Sequence, residues 1–347
     1  MHHVRLIAVL VAVCAAACYT EARNRKEKER KREKDKFTLD TNLCNIEDNT
    51  APMHCFCDTT ALANTSNAKC WIFTGLTRDH NIWTVFSSQP YILEMTLTVR
   101  PGGELAFVPT KGLKHLRMLQ TLEIKYASIT DIHSYAFANL TTLKEISVSR
   151  NQIVNLKHYA FAHLPNLTEI TMDENRISEL NRDVFVDLPS LQKLFIDQNN
   201  LSVIHDGAFR HLASLLELEL DSNYISVITR DTFTGLSGLK RLDLTSNRIS
   251  MLGDLTFAEL WSLEALLLDS NQIEMISERA FAGLTQLKRL SLNENRLTML
   301  NGGLLDGVPA ITFLDLRSNE LQTLTFDNVR PILHNLYNET SYFLLET

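Results

Sequence analysis

Cysteine is scarce in this sequence and unevenly placed. Of six in 347 residues, two fall at Cys14 and Cys18, and the other four, Cys44, Cys55, Cys57 and Cys70, sit close together. No pair has the CxxC spacing, which argues against a structural zinc site. Glycine and proline are also few, at 12 and 8, and with 45% hydrophobic and 22% charged residues the make-up is that of a folded soluble protein. There is no nucleophile elbow, no HExxH, no phosphate-cradling glycine loop and no Cys/His pair at a useful spacing. An enzyme is therefore not expected, and neither a cofactor nor a metal centre is implied. His133, His158 and His205 are scattered and read as surface side chains.

An excess of positive charge is missing too. The net charge is −7, and residues 1–36 alone hold ten Lys/Arg against five Asp/Glu, leaving 24 basic and 36 acidic side chains in residues 37–347. A body with a balance of −12 is a poor nucleic-acid binder. Long apolar runs are absent except at the start, where Leu6 to Ala17 follow Arg5. Those twelve residues are too few to span a bilayer and read as a secretory signal, residues 1–22, cleaved after Ala17 or Ala22. Neither a hydrophobic tail nor a lipid-anchor signal follows, so membrane attachment is not encoded in this chain. Residues 23–36 are almost wholly charged, and the segment 23–41 is expected to be disordered, with a weak glycan or anionic-lipid contact by residues 23–36 as the functional alternative.

Export agrees with the remaining cysteines. Four clustered cysteines in an oxidising compartment imply two disulfides, with three pairings open. Five sequons begin at Asn64, Asn139, Asn166, Asn200 and Asn338. The expected product is a secreted or cell-surface glycoprotein.

What the chain does have is a period. Leu119, Leu143, Leu167, Leu191, Leu215, Leu239, Leu263, Leu287 and Ile311 recur at an interval of 24. Counting each as position 1, apolar residues also fall at positions 4, 6, 11, 14, 19 and 22. Position 9 is Asn in eight of nine units, from Asn151 through Asn319, with Ala127 the exception. Position 19 is Phe in seven, from Phe137 to Phe281, then Leu305 and Val329. Alternation around positions 4 and 6 predicts a short strand with one buried face. The following Asn has an amide that can donate and accept where the chain turns away. One unit cannot bury enough surface to fold alone, so the copies must stack.

These units match the pattern LxxLxLxxNxL and resemble extracellular leucine-rich repeat proteins. The resemblance implies an α/β solenoid: a curved parallel sheet on the concave face and an irregular or short-helical convex face, with an N-terminal disulfide cap. We divide the chain into the signal (1–22), the charged segment (23–41), a cysteine-rich cap (42–90), a degenerate first repeat (91–118) and nine 24-residue repeats (119–334). Residues 335–347 would be the start of a further repeat or a truncated C-terminal cap, with Phe343 and Leu345 inward. The cysteine flank of the family implies pairing of Cys44 with Cys57 and of Cys55 with Cys70. The tryptophans Trp71, Trp83 and Trp261 are expected to pack internally.

A signal, a Lys/Arg/Glu-rich stretch, a compact cysteine flank and 24-residue repeats together resemble insect adhesion proteins of the chaoptin type. That resemblance implies homophilic cell adhesion with a lipid anchor, from which this chain departs by lacking an anchor signal and a C-terminal cysteine cap. A protein partner on another cell, or a second copy, would bind the concave strand positions. The position-7 series contains Asp173, Asp197, Asp221 and Asp269, and position 5 contributes Glu219. Aspartates one strand apart repel by about 1 kcal/mol per pair even in water, so the ladder is a candidate surface for a basic partner or a cation. Phe195, Leu216, Leu267 and Phe313 are the apolar exceptions on that face and candidate anchors. A secreted immune or ligand-binding factor is the alternative function.

Overall fold

The computed structural model describes residues 41–138, 140–335 and 341–345. The signal, most of the charged segment, Cys14, Cys18 and the sequons at Asn139 and Asn338 lie outside the described residues.

Each repeat contributes a short strand, and all of them join one sheet. Nine strands beginning at residues 121, 145, 169, 193, 217, 241, 265, 289 and 313 run parallel in sequence order. Register follows the period: Leu194 pairs with Leu218, Leu218 with Leu242, and Leu242 with Leu266. Position 4 thus stacks on position 4 along the array, and these leucines are fully buried. Burying the side chains of positions 1, 4, 6, 11, 14, 19 and 22 between neighbouring coils makes one continuous core.

The outer row of that core explains the curvature. Phe137, Phe161, Phe185, Phe209, Phe233, Phe257 and Phe281 are its largest buried side chains. Consecutive rings stack at 5.2 Å (Phe137–Phe161), 5.7 Å (Phe161–Phe185), 5.9 Å (Phe233–Phe257) and 6.0 Å (Phe257–Phe281). Strands on the inner side sit ~4.8 Å apart. Coils spaced more widely outside than inside must fan, and the sheet becomes the concave face. That outer side is mostly turns with short two-stranded pairs, such as Met251–Leu252 with Met275–Ile276.

Position 9 closes the bend between the two sides. The Asn247 carbonyl accepts from Ile225 N–H (3.0 Å), while its amide donates to the carbonyls of Leu220 (2.9 Å), Leu244 (3.1 Å) and Thr245 (3.3 Å). The same set recurs at Asn175, Asn199, Asn223, Asn271 and Asn295. Each Asn therefore ties its own coil to the preceding one. The residue before it is left-handed in every repeat, from Tyr126 (φ 60°) through Ser246 (φ 56°) to Ser318 (φ 53°), and none of the nine is glycine. A left-handed L-residue costs on the order of 1 kcal/mol, which the buried Asn bonds offset.

At the N-terminus the sheet continues into the cap. Met53–Cys57 and Asn67–Ile72 form an antiparallel pair, and the second of these lies parallel to Glu94–Val99, itself parallel to Thr121–Lys125. The disulfides are Cys44–Cys57 and Cys55–Cys70, the pairing that the family resemblance implies. Asn81–Ser88 forms a 3-10 helix with Ile82, Trp83, Val85 and Phe86 buried. The turn after Glu94–Val99 needs Gly103, where a Cβ would lie 2.5 Å from the Ile72 carbonyl oxygen.

The far end differs from the preceding repeats in two ways. A helix, Phe326–Asn335, replaces the outer turn of the last repeat, and Asn328 donates to the carbonyls of Leu300 and Asn301. Tyr342–Leu344 adds a thirteenth strand beside Phe313–Asp315, with Phe343 packed against the core. Leu345, expected inward, is exposed, because the strand ends at Leu344. Of the tryptophans only Trp83 is buried. Trp71 lies on the open face of the cap and Trp261 on an outer turn, both exposed, because the core offers them no inward position. The sequon residues Asn64, Asn166 and Asn200 are exposed. No helix of the described residues is long and apolar enough to cross a membrane.

Candidate functional site

Three rows of side chains run across the concave face, at positions 3, 5 and 7 of successive strands. No other described element covers them, but they are not equally accessible. The central row is crowded by its neighbours. Asp243, Leu267, Ser291 and Asp315 on it are buried at 9% exposure or less. Leu267 was a candidate anchor and is withdrawn from the face, since the curved sheet brings its neighbours together around it. Phe195 stays half-buried between its register partners Thr171 and Glu219, and Leu216 is exposed at the rim. Phe313 is half-buried, with the Arg289 guanidinium 3.8 Å from its ring centroid and Tyr342 alongside.

Charges on the face fall into paired and unpaired sets. Arg241 reaches Asp243 (2.8 Å), Glu217 (3.4 Å) and Glu219 (3.7 Å). Arg317 holds Asp315 at 2.6 Å and keeps its carboxyl below the usual range despite burial, while Lys193 pairs with Glu169 and Lys240 with Glu264. None of these cations relieves the position-7 ladder. Among the described residues, no lysine or arginine pairs with Asp173, Asp197 or Asp221.

Burial and crowding raise Asp173, Asp221 and Glu219. Burial, then the hydrogen bond and charge of the Asp197 carboxyl, push Asp173 up to about 9. Its Oδ1 also accepts from the Asp197 N–H at 3.2 Å. Burial raises Asp221, with repulsion from Asp197 and Asp243 adding to it and the Ser222 hydroxyl opposing. Glu219 is raised by burial and by Glu217. Carboxylate oxygens of Asp197, Glu219 and Asp221 lie within 4.8 Å of one another, and this trio could hold a metal ion or face an incoming ammonium or guanidinium group.

Asp269 does not join them. One strand of Thr245 separates it from Asp221, and its Oδ1 accepts from the Ser291 hydroxyl (2.6 Å) and the Asn293 N–H (2.8 Å). The expected ladder is thus two features: a cluster of Asp173, Asp197, Glu219 and Asp221 facing solvent, and an internally bonded Asp269. The face also has an exposed aromatic patch around Trp71, a residue expected to pack internally. On the cap strands Phe56 and Trp71 are 5.0 Å apart, Trp71 and Phe73 are 6.5 Å apart, and the Arg100 guanidinium stands 4.9 Å over Trp71. Their signal was alternation: each occupies an outward place between inward Cys55, Cys70 and Ile72.

Comparison with known proteins places this geometry in context. The leucine rich repeat family model matches residues 117–177, 141–201, 165–225, 189–249, 214–273 and 261–321, which together cover more than half of the chain. Connectin of Drosophila melanogaster is 41% identical over 78 residues, 22% of this chain and 11% of connectin's length. A chain of the octameric complex of latrophilin 3 (Lec, Olf), Unc5D (Ig, Ig2, TSP1) and FLRT2 (LRR) is 28% identical with a TM-score of 0.56, covering 69% of each chain. The TLR13–ssRNA13 complex gives a TM-score of 0.64 at 24% identity, over 73% of this chain and 35% of that one. The Toll–Spatzle complex, a hub in Drosophila development and innate immunity, gives 0.56 at 20%, over 72% and 38%. The last two likenesses concern the fold.

Proposed function

This chain belongs to the leucine-rich repeat family, and on that premise we propose that it is an extracellular adhesion or recognition protein taking a basic protein partner in its concave trough. Solenoids of this kind are typically non-enzymatic scaffolds for protein binding, and their extended inner surface is the usual contact. Connectin, an insect relative over a short stretch, favours adhesion, and a complex of latrophilin 3, Unc5D and FLRT2 supports a protein ligand. The observation carrying the proposal is the half-buried cluster of Asp173, Asp197, Glu219 and Asp221, whose three aspartates pair with no lysine or arginine among the described residues. Phe195, between Thr171 and Glu219, supplies an apolar contact within it.

Acids held this close bind a lysine or arginine more tightly than isolated carboxylates, because the incoming cation relieves repulsion as well as gaining attraction. Cells displaying the full chain on an added anchor should adhere to one another, or to a second cell type carrying the partner. Replacing Asp197 and Asp221 by lysine should reduce that adhesion at least tenfold and weaken its salt dependence. Unchanged adhesion would remove the trough as the site. Capture of a soluble ligand with no adhesion to any cell would select the secreted-factor reading instead.

A further inference from the structure

Position 13 of the repeat plays no part in the concave face. It is polar in the first three repeats and then apolar in five consecutive ones: Val203, Val227, Met251, Met275 and Met299. These side chains are exposed, by 47% at Val203, 69% at Val227, 55% at Met251 and 60% at both Met275 and Met299. Position 14 beside each is buried, so the core has already taken one of the two adjacent apolar residues and leaves the other outside. Met251 and Met275 are register partners in an outer strand pair, so these two members of the row lie side by side on adjacent coils. At ~4.8 Å per coil the row is roughly 20 Å long.

Roughly 100 Å² of exposed apolar surface per residue gives about 500 Å², near the top of what a monomer leaves open without use. Two copies meeting on it would bury about 1,000 Å², the lower bound for a specific interface, before Ser202, Ser226, Ser250, Glu274 and Thr298 at position 12 and the charged rims are added. The pitch argues for a second copy over an unrelated partner, since two identical rows of equal spacing meet residue for residue along their whole length.

The rims decide the direction. On the position-10 side Arg248 stands 4.2 Å over the Tyr224 ring with no carboxylate partner among the described residues, while Arg296 reaches Glu274 at 3.6 Å. On the position-16 side Asp254 and Glu278 are exposed acids, with Arg230 between Asp206 and Asp254 as the exception. A two-fold axis along the stripe sets Arg248 of one copy against Asp254 of the other, twice. An axis across the stripe sets Arg248 against Arg248 and Asp254 against Asp254.

We propose that the stripe from Val203 to Met299 is a self-association surface through which two copies pair side by side, repeats running in the same direction, with both concave faces left free. Its physical basis lies outside the trough and does not depend on what binds there.

The test is sedimentation of the purified full chain over a concentration series. A reversible dimer is expected, weakened at least tenfold by Met251→Glu with Met275→Glu. Arg248→Glu should weaken it, and adding Asp254→Arg in the same chain should restore it. Met299→Cys should give a covalent dimer on oxidation, because only the parallel arrangement brings Met299 against its own equivalent. These are surface substitutions, and unchanged thermal melting confirms that each variant is folded. A monomer at every concentration, a dimer indifferent to the two glutamates, or tightening by Arg248→Glu would each overturn the proposal. So would loss of the dimer on charge reversal at Asp197 and Asp221.

Discussion

Asp173 holds its proton at neutral pH, and that has a sign. Unfolded, its carboxyl ionises near the ordinary 3.8; folded, burial and Asp197 move this to about 9. A group whose folded value is raised contributes stability in full below about pH 4, less as pH climbs, and none once pH passes about 9. Asp221, Glu219 and Asp269 are raised as well, with burial the leading cause in each, so they act in the same direction. Thermal melts at pH 5, 7 and 9 should therefore show falling stability with rising pH. Asp173→Asn, which keeps the shape and drops the ionisation, should flatten that slope and leave the pH 5 melt almost unchanged. Equal slopes for the two proteins would show that the carboxyl is not desolvated as described. The acidic cluster is in this respect a strained element of the fold.

At the scale of the repeat, stability rests on what recurs. Asn247→Ala removes four hydrogen bonds and leaves the buried Ile225 N–H without its acceptor, while the carbonyls of Leu220, Leu244 and Thr245 keep donors in Asn223, Asn271 and Ser222. A loss of about 2–4 kcal/mol is expected by denaturant titration, since an unsatisfied buried group costs more than an ordinary bond contributes. A loss under about 1 kcal/mol would mean that water replaces the amide. The strands, the Asn bend and the Phe row were legible because each is written up to nine times in register. Other features left no such mark. The left-handed position 8 is occupied by Tyr126, Arg150, Glu174, Gln198 and Ser222 in turn, residues with no shared chemistry, so the bend imposes it and the side chain does not announce it. Burial of Leu267 and Asp243 on a face expected to be open comes from curvature, which period alone does not give. The split of Asp269 from the acidic cluster depends on Ser291 and Asn293 one strand on. The position-13 stripe was visible as adjacent apolar residues, Met251–Leu252 or Met275–Ile276, of which a coil can bury only one.

For the whole molecule the two ends differ. The N-terminal end is closed covalently, by disulfides spanning 13 and 15 residues. Loops of that size contribute about 3 kcal/mol each through the unfolded chain. Reduction should raise amide exchange first in Met53–Cys57 and Asn67–Ile72, with the central repeats protected until much later. A simultaneous rise along the whole array would mean that cap and repeats open as one unit. Among the described residues the last repeat carries the helix Phe326–Asn335 and the strand Tyr342–Leu344 with no disulfide, and these should fray at lower temperature than the cap while its cysteines are intact.

The asparagine bonds also have a direction in time. Each amide reaches back to the coil before it, and the first coil, with Ala127 at that place, makes no such reach and supplies the Ala127 N–H and the Ile124 carbonyl to Asn151. A chain leaving the ribosome amino end first presents every new coil with a finished template behind it. Synthesis and folding then advance together, one 24-residue step after another, and a stalled nascent chain should already be protease-resistant up to its last completed turn.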